Sequence, residues 1–489
     1  MTIAPDGAAS LPALSTLRGG GRLDRLVAAL APTGRDLAFI RIGGRVEEGT
    51  ASHVRVGGLA RQVGLGSCVE VEAGSQRSLG EVIGIQQQSV TIKLFAAAPR
   101  IGLGSRVWVH DELVIRPDES WIGRTVNALG QPIDGDGDIG QGNTAYPIDG
   151  APLEPLALDR IRSPCTTGVR AIDLFTPICT GQRIGVFAGS GVGKSTLISM
   201  LTRSSGFKTV VVALVAERAR EVREFIEDVI RPSGARAVTV VATSSESAMM
   251  RKLSAKTAMT MAEYFRDRGD DVLLVVDSVT RYAHAMREIA LAAGEPPVAR
   301  GYAPSVFAEL PRLLERAGPG TPTSGSITGI FSVLVDGDDH NDPVADTVRG
   351  ILDGHIVLDR SIADQGRYPA INPLSSISRL AGLAWTKEEA TLVRKLRALI
   401  ARYEDTRELR TLGAYKPGAD PELDQAVAVV PIIYRHLSQA PDDPASSKPF
   451  DELAAALSEL QSADKGRSAE QLSRGTGTVA QAQPAPGRQ

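Results

Sequence analysis

The spacing of apolar residues divides this chain into three zones of different predicted structure. Residues 35–110 hold short apolar runs between glycines, residues 111–383 hold continuous runs, and residues 384–460 show helical periodicity. Residues 1–34 carry leucines at helical spacing among Gly, Ala, Ser and Pro, which fits either a frayed, flexible terminus or a partner-binding arm. Residues 461–489 contain no aromatic residue and predict a disordered tail.

Residues 35–110 are predicted to form a small β-barrel, because regularly spaced short strands bounded by glycine are typical of that fold. Glycines at 43–44, 57–58, 64–66 and 102–104 are placed at or near the turns. The predicted strands are Leu37–Val46, His53–Val56, Cys68–Glu72, Leu79–Ile85, Val90–Phe95 and Val107–Val109.

The central zone predicts an α/β fold with a parallel sheet, since its apolar runs are continuous and alternate with helix-like segments. A loop-rich connection over residues 110–180 precedes the sheet, and a helical domain over residues 384–460 follows it. The predicted strands are Ile184–Ala188, Thr209–Val215, Ala237–Thr243, Val272–Val276, Ile327–Val335 and Ile356–Leu358.

One stretch, Gly181–Met200, joins an apolar strand, a glycine-rich loop and the start of a helix, which together form a phosphate-binding loop. Its glycines let backbone N–H groups point at phosphate oxygens, and the helix N-terminus adds partial positive charge. Lys194 is expected to reach the β- and γ-phosphates of a nucleoside triphosphate, and Ser195 to ligate Mg²⁺. The usual pattern has glycine where this chain has Ala188, a small residue that we expect to be tolerated. The predicted nucleotide-binding residues of this loop are Gly189, Ser190, Gly191, Val192, Gly193, Lys194, Ser195 and Thr196.

Two carboxylates follow predicted strands of the same sheet. Asp277 ends the run Val272–Val276, a place where an acid holds the Mg²⁺ coordination sphere, usually through water. Glu217 follows Thr209–Val215, and ligands of parallel sheets bind at the carboxyl ends of strands. We therefore predict that Glu217 polarises the attacking water. The alternative is that Glu217 caps the next helix.

Composition narrows the choice of partners. With 54 basic and 57 acidic residues the net charge is −3, which offers little to a nucleic-acid backbone. The aromatic residues of the predicted barrel, Phe39, Phe95 and Trp108, lie on different strands and form no stacking platform. We expect no nucleic-acid partner and favour a packing or assembly role for the barrel.

The remaining residues of interest predict a protein that stays in the cytoplasm. The three cysteines, Cys68, Cys165 and Cys179, show no metal-ligand spacing and are expected to be core residues in a reducing compartment. No apolar run is long enough to cross a bilayer, and no secretory signal is evident. The acidic cluster Asp336–Asp342 lacks the spacing of a calcium loop and is interpreted as a solvated interface loop.

Five further motifs occur in order along the chain: Ala188–Ser195, Glu217–Glu221, Asp277–Arg281, Arg300–Phe307 and Tyr368–Arg379. Together they resemble a known family, the ring-forming ATPases related to the catalytic subunit of rotary ATP synthases. The flagellum-specific ATPases of the bacterial type III export apparatus are the most similar branch. The phrases Pro297–Gly318 and Gly413–Pro421 resemble the secretion branch, and an acidic coupling motif of synthases is missing at the latter place.

The resemblance implies further site residues. Arg218 and Arg281 would contact phosphate within the subunit, and Tyr368 would stack on adenine. Arg379 matches the arginine finger that enters the neighbouring subunit's site, with an interface salt bridge as the alternative. Family members usually carry glycine where this chain has Ala216 and Ala219. This departure concerns the local geometry around Glu217 and leaves its implied role unchanged.

The resemblance also implies a fold and a physiology. The expected fold is a RecA-like P-loop NTPase core with an N-terminal barrel and a C-terminal helical domain. The expected function is Mg²⁺-dependent ATP hydrolysis by a homohexamer at the cytoplasmic, inner-membrane base of the flagellum. Implied partners are a stator-like regulator on the N-terminal arm, a stalk protein in the pore, export chaperones with their substrates, and the membrane export gate. Alternatives are an injectisome ATPase, a non-catalytic rotary subunit and a hexameric RNA translocase.

Overall fold

A computed structural model describes residues 41–96, 101–161, 163–335 and 342–458. The predicted arm, residues 1–34, and the predicted tail, residues 461–489, lie outside these ranges, as does most of the acidic cluster before Asp342. The described residues fall into two compact units. One comprises residues 41–92 and 101–111, and the other comprises residues 93–96 together with those from 112 onward.

The first unit is built on a closed six-stranded barrel, with strand order β1-β2-β5-β4-β3-β6. Its inward side chains, such as Val56, Val69, Val71 and Val107, are fully buried. Alternate residues of each strand face the interior, so β-branched residues at every second position fill it. The strands are β1 Gly43–Gly49, β2 Val54–Gly57, β3 Cys68–Ala73, β4 Gln76–Ile85, β5 Ser89–Leu94 and β6 Arg106–Val109.

Gly43 and Gly44, which the sequence places at or near a turn within the predicted strand Leu37–Val46, are the first two residues of β1. A Cβ on Gly43 would come within 2.6 Å of the Trp108 ring. A Cβ on Gly44 would lie 2.3 Å from the carbonyl oxygen of Gly57. These glycines are needed for close approach between strands rather than for a turn.

The second unit contains a nine-stranded sheet whose main path is β19-β18-β12-β17-β15-β13-β14-β8, with β16 paired to β17. Strand β13 is buried along its whole length, as expected for a parallel sheet covered on both faces. Strand β8 lies within the predicted connection and was missed because it has only three residues. The strands of this unit are β7 Val114–Ile115, β8 Thr125–Asn127, β9 Tyr146–Pro147, β10 Pro164–Cys165, β11 Ile178–Cys179, β12 Arg183–Ala188, β13 Thr209–Glu217, β14 Ala237–Thr243, β15 Asp271–Asp277, β16 Gly318–Pro319, β17 Ser326–Leu334, β18 Gly354–Leu358 and β19 Ile377–Ser378.

Two of the longest helices beside the sheet begin at a serine cap. Ser247 caps the long helix α5, and Ser278 caps α6 by accepting a hydrogen bond from the backbone N–H of Arg281. The helices up to the end of the sheet are α1 Arg170–Phe175, α2 Lys194–Thr202, α3 Ala219–Phe225, α4 Arg231–Ser233, α5 Ala248–Asp267, α6 Val279–Ala292, α7 Pro304–Leu314, α8 Pro343–Ile351 and α9 Arg360–Ala363. A π-helical turn, Ile226–Ile230, joins α3 to α4.

Helices alone follow the sheet, as the periodicity predicts. Helix α11 starts at a capping box of Thr386 and Glu389 and buries Val393, Leu396 and Ile400, three positions on one helical face. These helices are α10 Ala381–Ala384, α11 Lys387–Asp405, α12 Arg407–Thr411 and α13 Pro421–Leu437. The predicted fold class, an α/β core with an N-terminal barrel and C-terminal helices, is confirmed.

The three cysteines were predicted to be core residues, and the structure agrees. Cys68, Cys165 and Cys179 are all free thiols in buried positions. Within the described ranges, none of the helices combines the length and apolarity needed to span a bilayer.

Candidate functional site

The phosphate-binding loop lies at the carboxyl end of strand β12. The strand ends at the buried Ala188, and helix α2 begins at Lys194. Between them Gly191 and Gly193 have φ angles of 78° and 95°, in the left-handed region that favours glycine. Ser190 and Gly191 are exposed. The loop is therefore open to a ligand and has the strand–loop–helix setting that was predicted.

Asp277 meets this loop at the neighbouring strand end. Its carboxylate accepts a hydrogen bond from the Lys194 ammonium. The Ser332 hydroxyl on β17 donates a second hydrogen bond to Asp277 Oδ1, at 2.7 Å. Asp277 is only 5% exposed, so these two donors stabilise a carboxylate that burial would otherwise disfavour.

A cavity of about 300 Å³ opens beside the start of helix α2. Its lining includes Ser195, Thr196, Glu217, Glu221 and Asp277. A hydroxyl and carboxylate oxygens in one cavity are the hard donors that Mg²⁺ prefers. The residues present therefore fit the predicted magnesium site at Ser195 and Asp277.

Glu217 is the last residue of β13 and is 8% exposed. Its Oε2 lies 2.9 Å from Nη1 of Arg281 on helix α6. Burial raises the pKa of Glu217 to about 7, and a hydrogen bond with Glu221 and the charge of Asp277 act in the same direction. Lys194 and Arg281 oppose that rise. A carboxylate with this pKa can hold or release a proton near neutral pH, as a group that polarises water must.

The backbone before Glu217 is bent. Strand β13 shifts register against β14 between Val215 and Glu217, and Ala216 has a φ of 57°. A bulge of this kind re-aims the following side chain, here toward the cavity. Ala216 thus stands in the left-handed region, where glycine, the usual family residue, is less strained.

Tyr368 stands over the end of the phosphate-binding loop. Its ring atoms lie 3.3 and 3.4 Å from the place that a Cβ on Gly193 would take. The residue is 42% exposed, so part of its ring is open to a ligand. The structure thus brings Tyr368, the loop, Glu217, Asp277 and Arg281 to one end of the sheet.

The other two predicted arginines, Arg218 and Arg379, are exposed. The Arg218 side chain is 78% exposed and pairs with Glu221 at 3.1 Å, at the rim of the cavity. Arg379 is exposed and follows β19, and its backbone N–H donates to the carbonyl of Asp353 at 2.9 Å. Asp353 is hydrogen-bonded to Arg183, the first residue of β12. The phosphate-binding loop follows Ala188, the last residue of that strand. The six steps from Arg183 to Gly189 span about 20 Å at the usual strand rise, which is beyond the reach of the Arg379 side chain.

Three residues near the site were not predicted from the sequence. Arg360 donates to the carbonyl oxygen of Ser190 at 3.0 Å, and the backbone N–H of Gln439 donates to the carbonyl of Tyr368 at 2.8 Å. Ser332 holds Asp277, as described. A signal existed for two of them, because Ser332 interrupts an apolar strand and Arg360 follows the end of another. Gln439 gave none, since only the folded chain brings the end of α13 back to Tyr368.

Comparison with known proteins matches two family models. The ATP synthase alpha/beta family, nucleotide-binding domain, matches residues 168–378, and the T3SS EscN ATPase C-terminal domain matches residues 385–459.

Similar curated proteins include the flagellum-specific ATP synthases of Agrobacterium fabrum and Rhizobium meliloti. They are 55% and 54% identical over 415 residues each, covering 85% of this chain and 88% and 89% of the relatives. The type 3 secretion system ATPase of Xanthomonas euvesicatoria is 42% identical, over 83% of this chain and 93% of that protein.

Among solved structures, the assembled ATPase EscN of the enteropathogenic E. coli type III secretion system matches with a TM-score of 0.79 at 38% identity. The structure of EscN in complex with its central stalk EscO matches with a TM-score of 0.77 at 37% identity. Both matches cover 84% of this chain and 99% of the other. The site geometry and these relatives together show that the chain is an ATP-hydrolysing enzyme of the flagellum-specific ATP synthase family, within the wider ATP synthase alpha/beta family.

Proposed function

We propose that this chain is the Mg²⁺-dependent ATPase that energises flagellar type III protein export as a homohexameric ring. The observation that carries the ring is the position of Arg379, exposed at the opposite end of β12 from its own phosphate-binding loop. An arginine finger so placed can serve only another copy's nucleotide. EscN, a related ATPase, is known as an assembly, which supports the same arrangement here.

Within one subunit, each residue has a role in ATP hydrolysis. The loop Gly189–Gly193 binds the phosphates through its N–H groups, and Lys194 transfers its hydrogen bond from Asp277 to a phosphate oxygen. Tyr368 stacks on the adenine. Ser195 would hold Mg²⁺ directly and Asp277 would hold it through water, and the ion would neutralise phosphate charge.

Glu217 orients and polarises the attacking water once it is ionised, and Arg281 and Arg218 contact the phosphates from within the subunit. Arg281 stabilises the ionised form of Glu217 at 2.9 Å. Arg379 of the next subunit adds positive charge in the transition state. The site is therefore complete only in an assembly.

The partners of this ring follow from the family. A stalk protein is proposed to enter the pore of the ring, and the related EscN is known in complex with its central stalk EscO. Leu412, after helix α12, is 82% exposed in the region that matches the EscN C-terminal domain and suits such a contact. Residues 1–34 are proposed to bind a stator-like regulator. The ring is also proposed to bind export chaperones and the membrane export gate at the cytoplasmic base of the flagellum. Hydrolysis there would release substrates from chaperones and unfold them.

A test of this function replaces Glu217 by Gln at the chromosomal locus, with Glu224→Gln as the control. Glu224 lines the same cavity but is exposed and pairs with Arg220. We expect Glu217→Gln to deplete flagellar subunits from the culture medium and to reduce motility, while the control secretes normally. Normal flagellar export with loss of injectisome substrates would assign the chain to an injectisome instead.

A further inference from the structure

The backbone that carries Arg379 is fastened to the start of strand β12. Its N–H donates to the carbonyl of Asp353 at 2.9 Å. The preceding residue, Ser378, accepts a hydrogen bond from the Gln182 amide at 3.2 Å. Gln182 immediately precedes β12, the strand that leads to the phosphate-binding loop. One strand therefore carries a nucleotide site at one end and an anchored Arg379 at the other.

Gln182 is suited to this anchoring because its side chain is fully buried and both its amide oxygen and its amide nitrogen have hydrogen-bond partners. Its Oε1 accepts from the N–H of Cys179 at 2.8 Å. Its Nε2 donates to the Asp353 carbonyl at 3.1 Å as well as to Ser378. A buried amide with both donors and its acceptor engaged has a single orientation.

Asp353 is held by Arg183 from several directions. Its Oδ2 accepts from the backbone N–H and the Nε of Arg183, each at 3.0 Å, and its Oδ1 accepts from Nη2 at 3.2 Å. Its own N–H donates to the Arg183 carbonyl at 2.9 Å. The carbonyl that receives Arg379 therefore belongs to a residue with little freedom to move.

Close packing fixes the same segment. A Cβ on Gly354 would lie 2.5 Å from the carbonyl oxygen of Ile377 and 3.0 Å from the Cα of Ser378. Strand β19 therefore sits against β18 at a distance that only glycine permits. The Arg379 side chain is exposed beyond this fixed backbone.

We propose that Gln182 and Asp353 are positioning residues that aim Arg379 at the nucleotide of the neighbouring subunit. This inference rests on the proposed role of Arg379 as an arginine finger. An arginine that acts across an interface has to be held in register by its own subunit, because a displacement of about 1 Å can cost 10²-fold in rate. The hydrogen bonds from Gln182 and Asp353 supply that support.

The test uses Gln182→Met, which keeps the side-chain length but removes the hydrogen bonds to Ser378 and Asp353. Ser378→Ala is a milder second variant. Thr328→Val is the matched control, since the buried Thr328 hydroxyl accepts from the Gly181 N–H at 2.8 Å on the other side of β12. We expect kcat to fall about 10- to 100-fold in Gln182→Met and less in Ser378→Ala, with nucleotide affinity and ring formation retained. The control should keep its kcat despite a comparable loss of thermal stability.

Mixed rings separate positioning of the finger from damage to the variant's own site. Lys194→Ala subunits have no working phosphate-binding loop but carry a native finger. Mixing them with Gln182→Met subunits should restore turnover at the Gln182→Met sites, just as mixing them with Arg379→Ala subunits should.

Two results would overturn the inference. One is rescue of Arg379→Ala without rescue of Gln182→Met. It would mean that Gln182 affects the nucleotide site of its own subunit, while the proposed role of Arg379 as a finger would be retained. Unchanged kcat in both Gln182→Met and Ser378→Ala would also refute positioning, and Ser378→Ala decides alone if Gln182→Met does not fold. Failure to rescue Arg379→Ala would refute the finger itself.

Discussion

The two ends of strand β12 are built on opposite principles. At the carboxyl end, two buried carboxylates are bonded to partly buried cations, Asp277 to Lys194 and Glu217 to Arg281. At the other end, hydrogen bonds secure the backbone around Asp353 and leave the Arg379 side chain exposed.

This difference suits two separate tasks: one end binds the nucleotide, and the other holds the backbone that carries Arg379. The ion pairs at the nucleotide end can exchange partners when phosphate arrives, because Lys194 and Arg281 are partly shielded from water and close by. At the opposite end the fixed backbone presents the Arg379 side chain outward. Under the proposed function, the two ends meet only when copies of the chain associate.

The largest expected effect is at the outward end. Replacing Arg379 by Ala should lower kcat about 10³-fold or more, the usual contribution of an arginine finger, with ATP affinity nearly unchanged. Steady-state hydrolysis and binding of a fluorescent nucleotide measure the two quantities. Arg394→Ala, an exposed arginine on helix α11, serves as the control. Equal, small effects of both changes would leave Arg379 without a catalytic role.

At the nucleotide end, Glu217→Gln should lower kcat by about 10²- to 10⁴-fold while ATP still binds, because the amide cannot take up the proton of the attacking water. Glu224→Gln is the control, as it changes an exposed acid of the same cavity. Single-turnover hydrolysis compares them. A fully active Glu217→Gln enzyme would place the catalytic acid elsewhere.

Tyr368 should affect binding more than chemistry. Tyr368→Ala should raise KM for ATP about 10-fold through lost stacking, and Tyr368→Phe should match the wild type because only the ring is needed. A defect in Tyr368→Phe would point to the hydroxyl instead. Initial rates over a range of ATP concentrations distinguish the two results.

The pH dependence should follow the ionisation of Glu217, whose pKa is raised to about 7 by burial, by Glu221 and by Asp277. Since the ionised form acts on water, kcat/KM should fall as pH drops through about 7. Glu221→Ala removes one cause of the rise and should move this midpoint to lower pH. A midpoint that stays in place would exclude Glu221 as its determinant.

The same ionisation bears on stability. Protonated Glu217 favours the folded state, so the folded protein loses stability as pH rises from the ordinary glutamate pKa through about 7. The melting temperature of Glu217→Gln should therefore exceed that of the wild type more at pH 8 than at pH 5, by differential scanning calorimetry.

The smallest effect concerns the bulge before Glu217. Ala216→Gly should raise the free energy of unfolding by up to about 1 kcal/mol, because Ala216 has a φ of 57°. Ala213→Gly, in the same strand before the bulge, should destabilise. Chemical denaturation gives both values, and equal losses would show that the left-handed backbone is not strained.

The nucleotide end could be predicted from the sequence because its residues obey a simple rule. Lys194, Glu217 and Asp277 each follow an apolar strand, and carboxyl ends of parallel strands share one edge. The outward end obeys no such rule. Gln182 and Asp353 meet Arg379 through the register of β19, a strand of two residues with no periodicity to detect. Arg379 itself was assigned by resemblance alone.

The barrel shows the same limit. Its short strands were evident from spacing, but the role of Gly43 and Gly44 was not, because glycine is typical both of turns and of close approach between strands. Only the position of Trp108 and of the Gly57 carbonyl decides between these meanings.

The measurement that bears most directly on the central claim mixes Arg379→Ala with Lys194→Ala subunits. Each alone should be nearly inactive, since one lacks a finger and the other a working phosphate-binding loop. In mixed rings, Lys194→Ala subunits can supply fingers to Arg379→Ala sites, so about a quarter of the interfaces in an equal mixture should become competent. Activity well above the sum of the separate variants is the predicted result. A mixture no more active than that sum, with mixed rings shown to form, would contradict a site completed by the neighbouring subunit.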